Sequence, residues 1–156
     1  MADLTVTLTE AVTLNGGSRG STNTLTISGV DDVYHRIVTC PASSDTTVAT
    51  FEAASSTADG ALDLQETKYI RVTNMDASNP VNLSLQVSND EDGAADFSST
   101  ILLESGRSFI MGAPHDGIQV SDANATIITT LVDLESIIAD PAGNDVKVEV
   151  FIASVV

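Results

Sequence analysis

Two histidines, one cysteine and a few acidic turns are the side chains that could do chemistry in this sequence of 156 residues. His35 and His115 lie far apart and lack the i, i+4 spacing that puts two imidazoles on one helix face for zinc. His115 falls in Ala113-Pro114-His115-Asp116-Gly117, a turn composition, and reads as an exposed turn histidine. His35 reads as a surface or cross-strand residue. Cys40 ends an apolar stretch and has no second cysteine to pair with. It is expected to be reduced and buried as a small hydrophobe. Serines are abundant, but a nucleophile elbow is not expected. The best calcium candidate is Asp90-Glu91-Asp92-Gly93. With Gly93 as the glycine of a helix–loop–helix calcium loop, Ser88 and Ser99 would occupy the two ends, where acidic ligands are required. The pattern fails there, and the stretch reads as a charged, solvated tip. Asp31-Asp32 reads as a turn in the same way. Gly16-Gly17 and Gly20 are followed by neither Lys-Ser/Thr nor a helix, so they make no phosphate loop. No catalytic residue, cofactor or metal is expected.

The segments that would position these residues alternate as strands do. Lys68 to Asn74 puts Ile70 and Val72 on one face. Val81 to Ser88 puts Val81, Leu83, Leu85 and Val87 on one face. Such alternation marks strands with one buried and one wet side. The connector contains Asn74, Asp76, Asn79 and Pro80, all turn formers, so Lys68 to Ser88 reads as a β-hairpin. Further strands are expected at Leu4 to Thr9, Thr24 to Ile27, Val33 to Cys40, Thr46 to Phe51, Ile118 to Val120 and Val146 to Ala153. Between them, a bulge is expected at Glu10-Ala11 and loops at Ser18 to Asn23 and Glu52 to Ala61. Thr100 to Leu103 and Arg107 to Met111 flank Glu104-Ser105-Gly106 as a second short hairpin. Asn124 to Asp140 has a partial helical stripe at Leu131, Leu134 and Ile138, but its β-branched density favours strand. Eight to ten short strands with turns between them predict one all-β domain over residues 1–156, an antiparallel sandwich of jelly-roll type.

Composition narrows the partners. Six Lys and Arg stand against 22 Asp and Glu, for a net charge of −16. That surface repels nucleic acid and anionic membranes, both of which are bound through Lys and Arg. No apolar run approaches the ~20 residues of a membrane helix, and the first residues carry no signal-peptide pattern. Trp is absent and aromatics are 4%, so Val, Ile, Leu and Ala must build the core.

Lys68 to Asn74 with Asn79 to Val87, then Ile101 to Met111, then Val146 to Ala153, give the chain its texture. In that texture it resembles small β-rich virion structural proteins of tailed bacteriophages, particularly marine and cyanobacterial phages. The resemblance implies no catalytic residues. It implies many identical subunits, often trimers, made in the host cytoplasm and fixed on the virion. The function it points to is a capsid decoration or cement protein that binds the major capsid protein or other virion proteins. A tail, neck or fibre-base component is the alternative. A carbohydrate-binding β-sandwich is the reading from another class, although such sites usually present aromatic platforms and this chain has no Trp and just two Tyr, Tyr34 and Tyr69.

The C-terminus suggests an interface. With Val146, Val148, Val150 and Ile152 facing the core, Phe151 falls on the opposite face, and Val155 and Val156 end the sequence with no charged side chain. Outward apolar residues beside an apolar end imply a covered surface. Self-association through Phe151, Val155 and Val156 is one expectation. Packing of Phe151 on a second sheet or a loop of its own chain is the other.

Overall fold

A computed structural model describes residues 1–53, 60–88, 95, 97–121 and 127–156. Its strands are β1 (Ala2–Thr9), β2 (Thr13–Leu14), β3 (Gly17–Ser18), β4 (Thr22–Val30), β5 (Asp32–Cys40), β6 (Thr46–Glu52), β7 (Leu62–Asp63), β8 (Thr67–Asn74), β9 (Val81–Ser88), β10 (Phe97–Leu103), β11 (Ser108–Met111), β12 (Asp133–Asp140) and β13 (Val146–Ser154). The chain is all-β, as its alternation predicts. The count of strands exceeds the eight to ten expected because several are only two residues long.

Two sheets form the body. One has the order β11-β8-β13-β5, the other β10-β9-β12-β6 with the short β7 beyond β6. Taking the eight body strands in chain order, the first sheet holds the first, eighth, third and sixth, and the second holds the second, seventh, fourth and fifth. That is the winding of a jelly roll. Among these eight strands only β9 and β10 are consecutive and paired with each other, with Phe97 opposite Val87; the short β7 follows β6 and pairs with it in parallel. Every other connection between consecutive strands of the eight crosses between the sheets.

This topology corrects the two expected hairpins. β8 pairs with β11 and β13, whereas β9 pairs with β10 and β12. The stretch Lys68 to Ser88 is therefore an arch spanning both sheets. The stretch Thr100 to Met111 is another, because β10 and β11 also lie in different sheets. Alternation reports which face of a strand is buried, and both strands of an arch bury one face just as a hairpin does. Ile118 to Val120 makes only an isolated bridge, Ile118 to Val132. The strand favoured within Asn124 to Asp140 exists over its second half, as β12.

The core lies between the sheets. Ile70, Val72, Val148, Val150 and Ile152 from one meet Phe51, Leu83, Leu134 and Ile137 from the other. Burying each such side chain contributes about 1.5–3 kcal/mol. In β6 the alternation breaks: both Val48 and Ala49 are buried, and Val48 is passed over as the register moves from Ala49–Ile137 to Thr47–Ile138. A bulge of this kind turns neighbouring side chains to the same side.

Ahead of the roll, β1 and β4 pair as a separate two-stranded arm. The expected bulge at Glu10-Ala11 and loop at Ser18 to Asn23 are instead a small hairpin, β2 with β3, and the start of β4. Asn15 and Gly16 both have positive φ, 51° and 77°, the backbone a two-residue hairpin turn demands. The arm lies on the outer face of the first sheet. Leu4, Val6 and Ile27 pack there in a second apolar cluster with Val30, Tyr69, Ala153, Phe151 and Val155.

Candidate functional site

Two groups of polar side chains stand out from this scaffold. The first is a cross-strand cluster on the outer face of the β5/β13/β8 sheet. Register sets Phe151 opposite both His35 and Arg71. The Phe151 ring centroid lies 5.5 Å from that of His35, and the Arg71 guanidinium carbon lies 5.9 Å from the Phe151 centroid. Two residues earlier on the same face, Glu149 reaches His35 Nε2 at 2.9 Å and Arg71 Nη1 at 2.7 Å. The His35 and Arg71 hydrogen bonds hold the Glu149 carboxyl below its ordinary range. His35 is thus the cross-strand residue its sequence position implies.

Beside this cluster, Leu4, Val6 and Leu8 of the arm face Tyr69, Arg71 and Ile110 across a groove of about 450 Å³. Phe151 therefore meets its own chain, in keeping with the second of the two expectations for it. Val155 is half-buried in the same apolar cluster, and its N–H donates to the Glu66 carbonyl at 2.9 Å. Val156 remains 78% exposed, and its N–H donates to Asp31 Oδ1 at 3.2 Å. Asp31 thereby ties down the chain end, and Asp32 Oδ1 accepts from the Val33 N–H.

The second group is at the entry to β12. His115 Nδ1 is 2.9 Å from Asp133 Oδ1, and the Asp116 N–H donates to the same oxygen at 2.7 Å. His115 Nε2 faces Asp116 Oδ2 at 3.5 Å. Hydrogen bonds hold the loop onto the chain entering β12: Gly117 N–H to Val132 O at 3.1 Å, and Leu134 N–H to Pro114 O at 3.1 Å. A Cβ on Gly117 would stand 2.2 Å from the Ala113 carbonyl oxygen, so this closure requires glycine. The sequence around His115 signals a turn but carries no sign of its partners. Asp116 is adjacent, yet Asp133 is brought in by the bridge between Ile118 and Val132. No spacing rule signals that contact.

Cys40 is fully buried and free, and burial pushes its thiol up. The spacing of a nucleophile elbow does occur, against expectation, at Gly16-Gly17-Ser18-Arg19-Gly20. Ser18 lies opposite Thr13 at the tip of the arm, not on the strand-to-helix turn such a serine needs. The calcium candidate Asp90 to Gly93 lies outside the described residues.

Basic charge is segregated between the two sheets, while acidic residues lie in both, Asp32 and Glu149 in the first. Arg36, Lys68, Arg71 and Lys147 lie on β5, β8 and β13, with Arg107 just before β11. The opposite sheet has no Lys or Arg in its strands and carries Glu52, Asp63, Asp133, Glu135 and Asp140. Its outer face has a depression of about 330 Å³ lined by Asn82, Ser84, Gln86, Thr100 and Asp140, with Ile138 among them. Among the described residues, no helix is long and apolar enough to cross a membrane.

No protein-family model, curated protein or solved structure matches the chain.

Proposed function

We propose that the chain is a non-enzymatic virion structural protein, a capsid decoration or cement protein that binds assembled shell subunits. The observation that carries this reading is the exposed arm. Leu8, Val12, Leu14 and Leu25 are each more than half exposed on a hairpin extension of a filled jelly roll. In a chain of net charge −16, residues 1–30 contain only Asp3, Glu10 and Arg19 as charged side chains. The arm can approach an acidic neighbour with little repulsion and bury apolar area there. Jelly rolls also serve in viral shells, although a fold alone does not name a function.

The mechanism is adhesion. A protein that binds the assembled lattice and not free subunits stabilises the assembly by mass action. Its partners are the major capsid protein or other virion proteins, with further copies of itself, a trimer by the phage resemblance, around each attachment point. Mass spectrometry of purified particles tests the reading. A copy number comparable to the major shell protein places the chain on the shell. A copy number of one ring places it in the tail, neck or fibre base. Absence from purified particles overturns the virion assignment.

The depression at Asn82, Ser84, Gln86, Thr100 and Asp140 favours one other reading, a carbohydrate-binding module. Hydroxyl, amide and carboxylate groups on a sheet face can bond sugar hydroxyls. Glycan-array binding that is lost in Gln86→Ala supports this reading, and a blank array removes it.

A further inference from the structure

We propose that His115 and Asp116 bind a divalent transition-metal cation of the zinc class, with Asp133 as the residue that orients the imidazole. The argument starts from protons. The Asp133 carboxylate accepts from the Asp116 N–H at 2.7 Å and lies 2.9 Å from His115 Nδ1. A carboxylate can only accept, so Nδ1 carries a proton. In the neutral imidazole, Nε2 is then a bare lone pair, and it faces a carboxylate oxygen, Asp116 Oδ2, at 3.5 Å. In that tautomer Nε2 and Asp116 Oδ2 are two acceptors side by side, an arrangement that a bound cation satisfies.

The separation suits a metal. Zinc binds nitrogen and carboxylate oxygen at about 2.0–2.2 Å, usually in tetrahedral geometry. Two ligands at that reach with a near-tetrahedral angle at the metal stand roughly 3.3–3.5 Å apart. The 2.9 Å contact behind the ring supplies the other half of the pattern. Metal-bound histidines almost always donate their second ring N–H to a carboxylate or carbonyl, which fixes tautomer and orientation. His115 and Asp116 have side chains 43% and 71% exposed, so an ion can reach them, while Asp133 at 22% is the more enclosed support. An imidazole nitrogen selects zinc, nickel or cobalt over calcium and magnesium, which take oxygen. With two protein ligands the ion keeps open positions for water or for a donor from a neighbouring molecule.

The test uses the full, tag-free chain with Co²⁺ and Zn²⁺ as probes. Binding is followed by visible absorption for Co²⁺ and by the ring-nitrogen NMR signals of both histidines for Zn²⁺. The expected result is saturable binding of one equivalent that moves the His115 Nε2 signal, leaves His35 unmoved and is not displaced by Ca²⁺. His115→Gln abolishes the binding, and Asp116→Asn weakens it. Asp133→Asn lowers affinity by about 10–100-fold without abolishing it, the effect of losing an orienting carboxylate. Thermal melts without metal show whether each variant folds, and Asp116→Asn, at the most exposed position, remains informative if His115→Gln does not fold. Absence of saturable binding, or binding that survives Asp116→Asn unchanged, overturns the proposal.

Discussion

The Asn74 side chain, at the end of β8, donates through Nδ2 to the Leu103 carbonyl at 3.0 Å, at the end of β10 in the opposite sheet. The same nitrogen donates to Asn79 O at 2.9 Å, and Asn74 Oδ1 accepts from the Asp76 N–H. The Asn74 backbone exchanges hydrogen bonds with Arg107 O and the Gly106 N–H. One fully buried residue thereby joins the arch after β8 to the arch after β10. Asn74→Ala leaves two carbonyls short of a donor inside the fold. The expected loss is roughly 2–4 kcal/mol, read as a lower urea midpoint with unchanged slope. A loss under ~0.5 kcal/mol, the size of an ordinary surface substitution, would show that water replaces the side chain.

Glu149 gives the stability a pH dependence. Its folded carboxyl titrates below the ordinary value of 4.5 because His35 and Arg71 bond the charged form. The stabilisation is present above that value and is lost as pH falls through the lower folded value. Glu149→Gln should be less stable than the parent at neutral pH, and the two should converge in acid well below 4.5. Urea midpoints across that range check this. A constant gap between them would contradict it.

Cys40 should resist modification. It is fully buried, and its raised thiol supplies little thiolate, the reactive form. A thiol reagent should label the native chain only at the rate of opening, and labelling should become fast in denaturant. Rapid labelling of the native protein would show that β5 frays at its end.

Phe151 should hold the arm in place. It belongs to the apolar cluster that receives Leu4, Val6 and Ile27, and a two-stranded hairpin alone is marginal in water. Phe151→Ser should leave the roll folded and release the arm, so that the backbone at the already exposed Arg19, held by its N–H to the Val12 carbonyl, opens more readily to trypsin. Mass spectrometry of the digest should show faster cleavage there than in the parent, with the β5–β13 body intact. Light scattering of the same pair reads self-association: if the parent is oligomeric and the variant monomeric, the Phe151 face also serves copies of the chain.

Much of this was legible in the residues. Strict alternation at Val81 to Val87 and Val146 to Ile152 reports burial directly, because side chains on a strand take opposite faces in turn. Partner choice was not legible. Ile70 and Leu83 alternate in the same way whether their strands pair or face each other across a core. The Glu149 cluster joins three strands and the His115 cluster joins a loop to a later strand, so neither leaves a local pattern. Val48 and Ala49 both enter the core through a bulge, which simple alternation at β6 conceals. Asn74 was readable as a turn former, yet its reach to Leu103 depends on how two arches dock.

The winding of the roll also governs time. With β9 to β10 the only connection between consecutive strands of the eight-stranded body that stays within one sheet, neither sheet can assemble ahead of the other from neighbouring segments. Closing entropy must be spent on distant pairings, such as β5 with β13, before any core forms, and such topologies fold slowly. In reverse, β5 or β11 cannot peel away without dragging an arch rooted in the other sheet. Persistence of the native chain is then set by the height of an unfolding barrier, a kinetic property distinct from its equilibrium stability.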